Sequence, residues 1–208
     1  YAGYKPDSKT SKIIMGGSIL GFSMPTFWVG IIFIMIFAVH LGWLPSTGRG
    51  EIGTFLGINS SLFTLNGLSH VFLPALNLAL FKISSVIRLT RAGTREIILQ
   101  DYITFARSKG LSEKRIVLVH ILKNILIPIV TVVGLEFGSL IAFSTVTETV
   151  FAWPGMGKLI IDSIYNLDRP VIVAYLMIIV TFFVFLNLIV DILYTFLDPR
   201  VRIKGDSQ

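Results

Sequence analysis

Between Ile13 and Val39 the chain runs for 27 residues without one charged side chain. A helix of about 20 apolar residues crosses a hydrocarbon core of roughly 30 Å. Three further stretches meet that length: Val71–Ile87, whose only charge is Lys82 and which Leu68 extends; Ile125–Thr147, with the single acid Glu136; and the uncharged Val171–Val190, with Asp191 just beyond it. Inside lipid every backbone polar group must be satisfied within the segment, which leaves helices as the fate of stretches this long. The expected fold is all-α, a polytopic membrane protein with four transmembrane helices. Only 14% of the chain is charged and 53% is hydrophobic, whereas a soluble domain is about a quarter charged. Soluble enzymes, nucleic-acid readers and disordered scaffolds are excluded together. The net charge of +6 then reads as membrane topology rather than phosphate binding.

Topology follows from where the cations fall, because cytoplasmic loops near a membrane are enriched in Lys and Arg. The leading segment, the stretch from Lys82 to Lys123 and the tail after Asp191 hold all but three of the 18 cations; Arg49, Lys158 and Arg169 are the exceptions. Both termini and the long basic loop are thus expected in the cytoplasm, and the other two loops outside. Trp43 and Trp153 stand just beyond the outer ends of spans, where amphipathic rings prefer the headgroup layer. Gly17/Gly21 and Gly134/Gly138 have the spacing that lets two membrane helices approach closely. The outer segment Leu41–His70, rich in Gly, Ser, Thr and Asn, reads as a surface loop. The polar start Tyr1–Lys12, opening on Tyr, carries no signal peptide and suggests a fragment that begins partway into a longer chain.

The basic loop carries the most information. Ile97, Ile98, Asp101, Tyr102, Phe105 and Lys109 recur at helical spacing, and Gly110 stands where a helix would end in the left-handed conformation. Ser112 is placed to cap a second helix over Glu113–Asn124 with its hydroxyl. Residues 96–118 therefore read as helix, turn and helix on the cytoplasmic face. Such a segment rests on anionic lipid, or it fits a partner's groove with Tyr102, Phe105 and Ala106 as anchors and Arg107 and Lys109 as a polar rim. Periodicity alone does not separate the two.

Ala106-Arg-Ser-Lys-Gly-Leu-Ser followed by His120-Ile-Leu-Lys-Asn-Ile-Leu-Ile-Pro128 resembles the cytoplasmic loop of permease subunits of ATP-binding-cassette importers, most closely the dipeptide/oligopeptide/nickel branch. Of the general motif Glu-Ala-Ala, three residues, Gly, only Ala106 and Gly110 match, because Thr104 and Phe105 occupy the first two places. Ser23-Met-Pro-Thr-Phe-Trp-Val-Gly30, Leu41-Gly-Trp-Leu-Pro45, Glu148-Thr-Val-Phe-Ala-Trp-Pro-Gly-Met-Gly157 and Leu197-Asp-Pro-Arg-Val-Arg202 extend the resemblance over nearly the whole chain. It implies a single permease domain over 1–208 lacking its first spans, with ATPase-coupling residues Tyr102, Phe105, Ala106, Arg107, Lys109, Gly110 and Leu111. It also implies an inner-membrane location, a second homologous permease, an external substrate-binding protein and cytoplasmic ATPases that hold ATP and Mg, with no cofactor on this chain.

The remaining ionisable residues are weighed one by one. Gly155-Met-Gly-Lys158-Leu159 lacks the hydroxyl of a phosphate-binding loop, so hydrolysis belongs to a partner. Glu136, near mid-membrane, lies on a translocation path, pairs with Lys82 or with a partner permease, or is protonated, since an ionised carboxylate there costs several kcal/mol. Lys82 is expected to extend toward the headgroups. Ser144, Thr147 and Glu148 face a peptide on the path or satisfy one another at a helix end. His40, His70 and His120 have no metal-ligand spacing, Cys is absent, and no nucleophile–base set exists, so neither metal nor catalysis is expected. Peptide uptake is the leading function, with nickel, glutathione and sugars open. An ion-coupled transporter or channel is the alternative, and such proteins place several ionisable or helix-breaking residues at the midplane.

Overall fold

Pro25 decides how the first apolar stretch folds. Proline lacks the N–H that a helix interior needs, and it pushes the residue before it out of the helical region. In the computed structural model, which describes residues 1–197 and, within the helices, leaves aside the side chains of residues 141–143, 194, 196 and 197, the 27 residues form two helices. They are α1, Lys9–Ser23, and α2, Thr26–Phe33, with Pro25 itself extended at φ −59° and ψ 136°. The expected single span is thus a broken one. From Ile34 to His40 the second helix continues in wider turns, with Leu41 N–H bonded to Ile36 O at 2.9 Å.

The other three apolar stretches form long helices: α3, Leu65–Ile98; α6, Leu122–Val150, which continues from the short α5, Glu113–Arg115, through Ile116–Ile121; and α8, Arg169–Leu197. Among the described residues, three helices are long and apolar enough to cross a membrane, and a fourth span results if the broken pair counts as one. Between them lie α4, Asp101–Ser108, and α7, Met156–Tyr165. The segment expected as plain loop contains a small antiparallel hairpin, β1 Gly53–Phe55 with β2 Ile58–Ser60, in which Phe55 pairs with Ile58. Leu56 and Gly57 turn it with φ of 49° and 80°, the left-handed pair that a two-residue hairpin requires.

The described residues cluster in two compact units. The first contains Tyr1–Leu20, Ile83–Phe137 and the described chain from Phe182. Its core is Ile103, Ala106, Ile116, Ile121 and Ile125, flanked by Tyr4, Ile97, Ile98, Leu111, Val117 and Ile129. The leading segment packs against α3: a Cβ on Gly3 would fall 2.5 Å from Thr94 Cβ, and Ser18 Oγ donates to Ser84 O at 2.9 Å. A Cβ on Gly134 would sit 2.7 Å from Val190, so α6 and α8 approach closely there, whereas one on Gly17 meets nothing within 4 Å. Of the two glycine pairs, helix packing is visible at Gly134 and not at Gly17. The second unit, Gly21–Lys82 and Gly138–Thr181, holds the hairpin, α2 and α7. Its centre includes the buried Phe151 and Leu73 and the polar pair Asn77 and Thr147. The tail cations Arg200, Arg202 and Lys204, and the motif from Asp198 to Arg202, lie outside the described residues.

Candidate functional site

Two constellations of the expected residues form, one in each unit. In the first, α4 begins with Asp101, an anion where the helix dipole favours one. It ends in a Schellman turn: Gly110 N–H bonds to Arg107 O at 2.9 Å and Leu111 N–H to Ala106 O at 3.3 Å, with Gly110 at φ +75°. Leu111 then packs on the isoleucine core, as the hydrophobic contact of that motif requires. Ile103 and Ala106 point inward, 0% and 6% exposed, while Tyr102 and Phe105 are exposed at 42% and 60%. Arg107, Lys109 and Gly110 are exposed as well. Ala106 is therefore corrected from surface anchor to core contact: it holds the helix whose outer face carries Tyr102 and Phe105. Lys109 Nζ lies 4.5 Å from the Phe105 ring centroid, within cation–π range.

A polar clasp fixes the turn. Arg107 Nε donates to Glu113 Oε1 at 3.0 Å, and the Tyr4 hydroxyl donates to Glu113 Oε2. The bonds from Tyr4 and Arg107 hold the Glu113 carboxyl below its ordinary range, while the bond to Glu113 raises both the Tyr4 hydroxyl and the Arg107 guanidinium. The Ser112 side chain makes no capping bond, contrary to expectation; its carbonyl instead accepts from Ile116 N–H at 3.0 Å. Sequence reading missed Ile103, Tyr4 and Glu113. Ile103 carried a signal in its apolar spacing with Ala106, but Tyr4 lies 109 residues from Glu113 and carried none.

In the second unit, Thr147 is buried and accepts from Asn77 Nδ2 at 3.1 Å. The backbone around Glu148 closes α6: Trp153 N–H bonds to Glu148 O at 2.8 Å, with Ala152 at φ 46°. Its side chain caps α7, accepting from Lys158 N–H at 2.8 Å, and Gly155 leaves the room, since a Cβ there would lie 2.3 Å from the carboxyl carbon. Ser144, Thr147 and Glu148 line a cavity of about 230 Å³ with Val71, Pro74, Ala75, Leu78 and Trp153. Glu148 and Trp153 also line an open groove of about 750 Å³, so these two residues join the two spaces. Glu136 belongs to the first unit, half-buried on α6, and is not part of this set. Lys82 donates to Ser139 Oγ with its ammonium 5.3 Å from the Phe81 ring, a held position rather than the extended one expected. His70 Nδ1 lies 2.8 Å from Asn66 O, and no group of three or more metal-ligating side chains exists among the described residues.

Comparison with known proteins decides the family. The model of the binding-protein-dependent transport system inner membrane component matches residues 1–203. The chain belongs to that family. As an inner membrane component it is 41% identical over 202 residues to a di/tripeptide transport system permease protein of Pseudomonas aeruginosa, covering 91% of this chain and 60% of the relative. It is 42% identical to a dipeptide transport system permease protein of Haemophilus influenzae, over 97% of this chain and 64% of the relative. An oligopeptide transport system permease protein of Bacillus subtilis is 40% identical, over 95% and 61%. The chain thus spans about three fifths of the length of these relatives.

Proposed function

We propose that this inner membrane component is the permease subunit of an ATP-driven importer of di- or oligopeptides. An external binding protein delivers the peptide, and a second, homologous permease completes the pathway. Cytoplasmic ATPases, which hold ATP and Mg, drive it, and this chain hydrolyses nothing. The concentration of cations supports placing the leading segment, α4 and the tail on the cytoplasmic side.

One observation carries the coupling reading: α4 is a short helix with two aromatic side chains outward, an alanine and an isoleucine inward, and a C-terminal end closed by the Gly110 turn and the Arg107–Glu113 bond. Helix-in-groove recognition uses such a shape, with large anchors on one face. A helix fixed to its unit transmits displacement, so closure of two ATPases around ATP would pull on α4 and, through the isoleucine core, on the start of α6. Residues 96–118 form this coupling segment. Ser144, Thr147 and Glu148 lie on the translocation path, and we assign Glu136 to the same path. Peptide is favoured over nickel, glutathione or sugar by the names of the three relatives.

The test is uptake of a radiolabelled dipeptide by cells carrying the full-length system. Collapse of the ion gradients with ATP preserved leaves uptake intact in an ATP-driven importer. Loss of uptake under those conditions assigns the protein to the ion-coupled class instead.

A further inference from the structure

The groove beside α7 is lined by Arg49, Lys158, Asp162, Glu148, Trp153 and Met156, among others. Its size lies within the range of small-ligand pockets, which runs from about 300 to 1,000 Å³. Its charges are not spent on one another. Glu148 is committed to the α7 backbone, and among the described residues no ion pair joins Arg49 to Glu148 or Asp162. Arg49 Nε is buried without a hydrogen-bond partner among the described residues. A buried guanidinium donor left unmatched carries an uncompensated desolvation cost, so such a group in a cavity wall needs an explanation.

The backbone holds Arg49 in place on both sides. Gly48, at φ +87°, donates its N–H to Phe151 O at 2.9 Å, and Phe151 is 1% exposed. Gly50, at φ +73°, sits so close to Asn66 and His70 that a Cβ would fall 2.7 and 2.6 Å from them. The next residue, Glu51, donates its N–H to Asn66 Oδ1 at 2.9 Å. A backbone fixed on both sides of Arg49 leaves only its side chain to be ordered on binding, which lowers that cost, and a guanidinium presents the fork that fits a carboxylate with two bonds.

We propose that this groove is a subsite for the carboxylate end of a peptide, with Arg49 as its principal ligand and Lys158 as the second cation. Trp153 and Met156 form the apolar wall for the terminal side chain, and Asp162 supplies an anion suited to a peptide ammonium. The subsite rests on the peptide-importer reading and adds to it the chemical feature recognised. Because the groove meets the Ser144–Glu148 cavity at Glu148 and Trp153, a peptide held by Arg49 stands at the entrance to that cavity.

The experiment uses the full-length permease assembled with its second permease and ATPases in nanodiscs, without external binding protein, so that selection by that protein does not enter. A dipeptide with a diazirine in its C-terminal side chain is photolysed and the labelled residues are mapped by mass spectrometry. The expected result is label within 153–159, displaced by the unlabelled dipeptide and at least tenfold more weakly by its C-terminal amide. In Arg49→Gln the label falls at least fivefold and acid and amide displace it alike; Lys158→Gln, on an exposed helix turn, gives a smaller change in the same direction. A merely structural role for Arg49 would weaken both competitors together and leave their ratio unchanged, which overturns the proposal. So does label confined to other segments. Dipeptide uptake by the native system with binding protein present is measured in parallel: no uptake removes the importer reading itself, whereas normal uptake with unaltered selectivity in Arg49→Gln removes the subsite alone.

Discussion

Arg107 Nε lies 3.0 Å from Glu113 Oε1 across the turn at Gly110, and the Tyr4 hydroxyl donates to the other oxygen of the same carboxylate. The end of α4, the start of α5 and the leading segment are tied together at one carboxylate. All three groups are near solvent, so the clasp adds little to global stability and its effect is to fix the direction in which α4 points.

Its pH dependence follows from the lowered Glu113 carboxyl. A group whose folded pKa is depressed stabilises the structure fully above its unfolded value, about 4.3 for Glu, and the contribution is lost as pH falls through the folded value. Hydrogen exchange of the 101–111 amides is expected to be flat from pH 8 to 5, once corrected for intrinsic rates, and to accelerate below about pH 4. Glu113→Gln is expected to show faster exchange already at pH 7 and no acid step.

Ile103 and Phe105 stand two residues apart with opposite fates, 0% and 60% exposed. Ile103→Ala is expected to cost about 2–5 kcal/mol of packing and to lower the melting temperature of the assembled complex. Phe105→Ala is expected to stay within about 0.5 kcal/mol of native while ATPase association weakens at least tenfold. Thermal unfolding and co-purification, measured on the same preparations, separate the two effects.

Gly110 and Ala152 are both left-handed, with φ of 75° and 46°. A Cβ at Gly110 meets nothing within 4 Å, so the cost of Gly110→Ala is backbone strain alone, about 1–2 kcal/mol, with Gly110→Asn milder. Ala152→Gly is expected to be neutral or stabilising by up to about 1 kcal/mol. Thermal melts in detergent check both signs.

Asn77 and Thr147 share a buried hydrogen bond of 3.1 Å. Thr147→Val leaves the Asn77 amide without that partner, at an expected cost of about 1–2 kcal/mol, between the small average for bonds inside membrane bundles and the penalty for an unsatisfied buried group. Thr147→Ser keeps the oxygen and is expected to retain most of the stability, read by the same melts.

The long helices were legible because about 20 residues with at most one charge leave a membrane helix as the one way to satisfy the backbone. The Gly110 turn was legible because a glycine after a periodic stretch marks a helix end. Pro25 was visible in the sequence, but the apolar run around it hid the break between α1 and α2. The inward position of Ala106 was illegible because a small apolar residue serves equally in a core and in a docking face. The contacts Tyr4–Glu113 and Asn77–Thr147 join residues far apart in the chain, and no local pattern announces them. Arg49 looked like a stray exception to the charge rule until the fold set its donor in the wall of a groove.

The central claim, that the outer face of α4 couples this permease to an ATPase, is tested most directly by purifying the full-length membrane protein with its operating partners and scoring co-purified ATPase and ATP hydrolysis. The native loop is expected to retain the ATPase, while Phe105→Ala and Gly110→Pro lose it with membrane insertion intact. A well-folded native complex that brings down no ATPase, or a Phe105→Ala variant that retains it in full, contradicts the account.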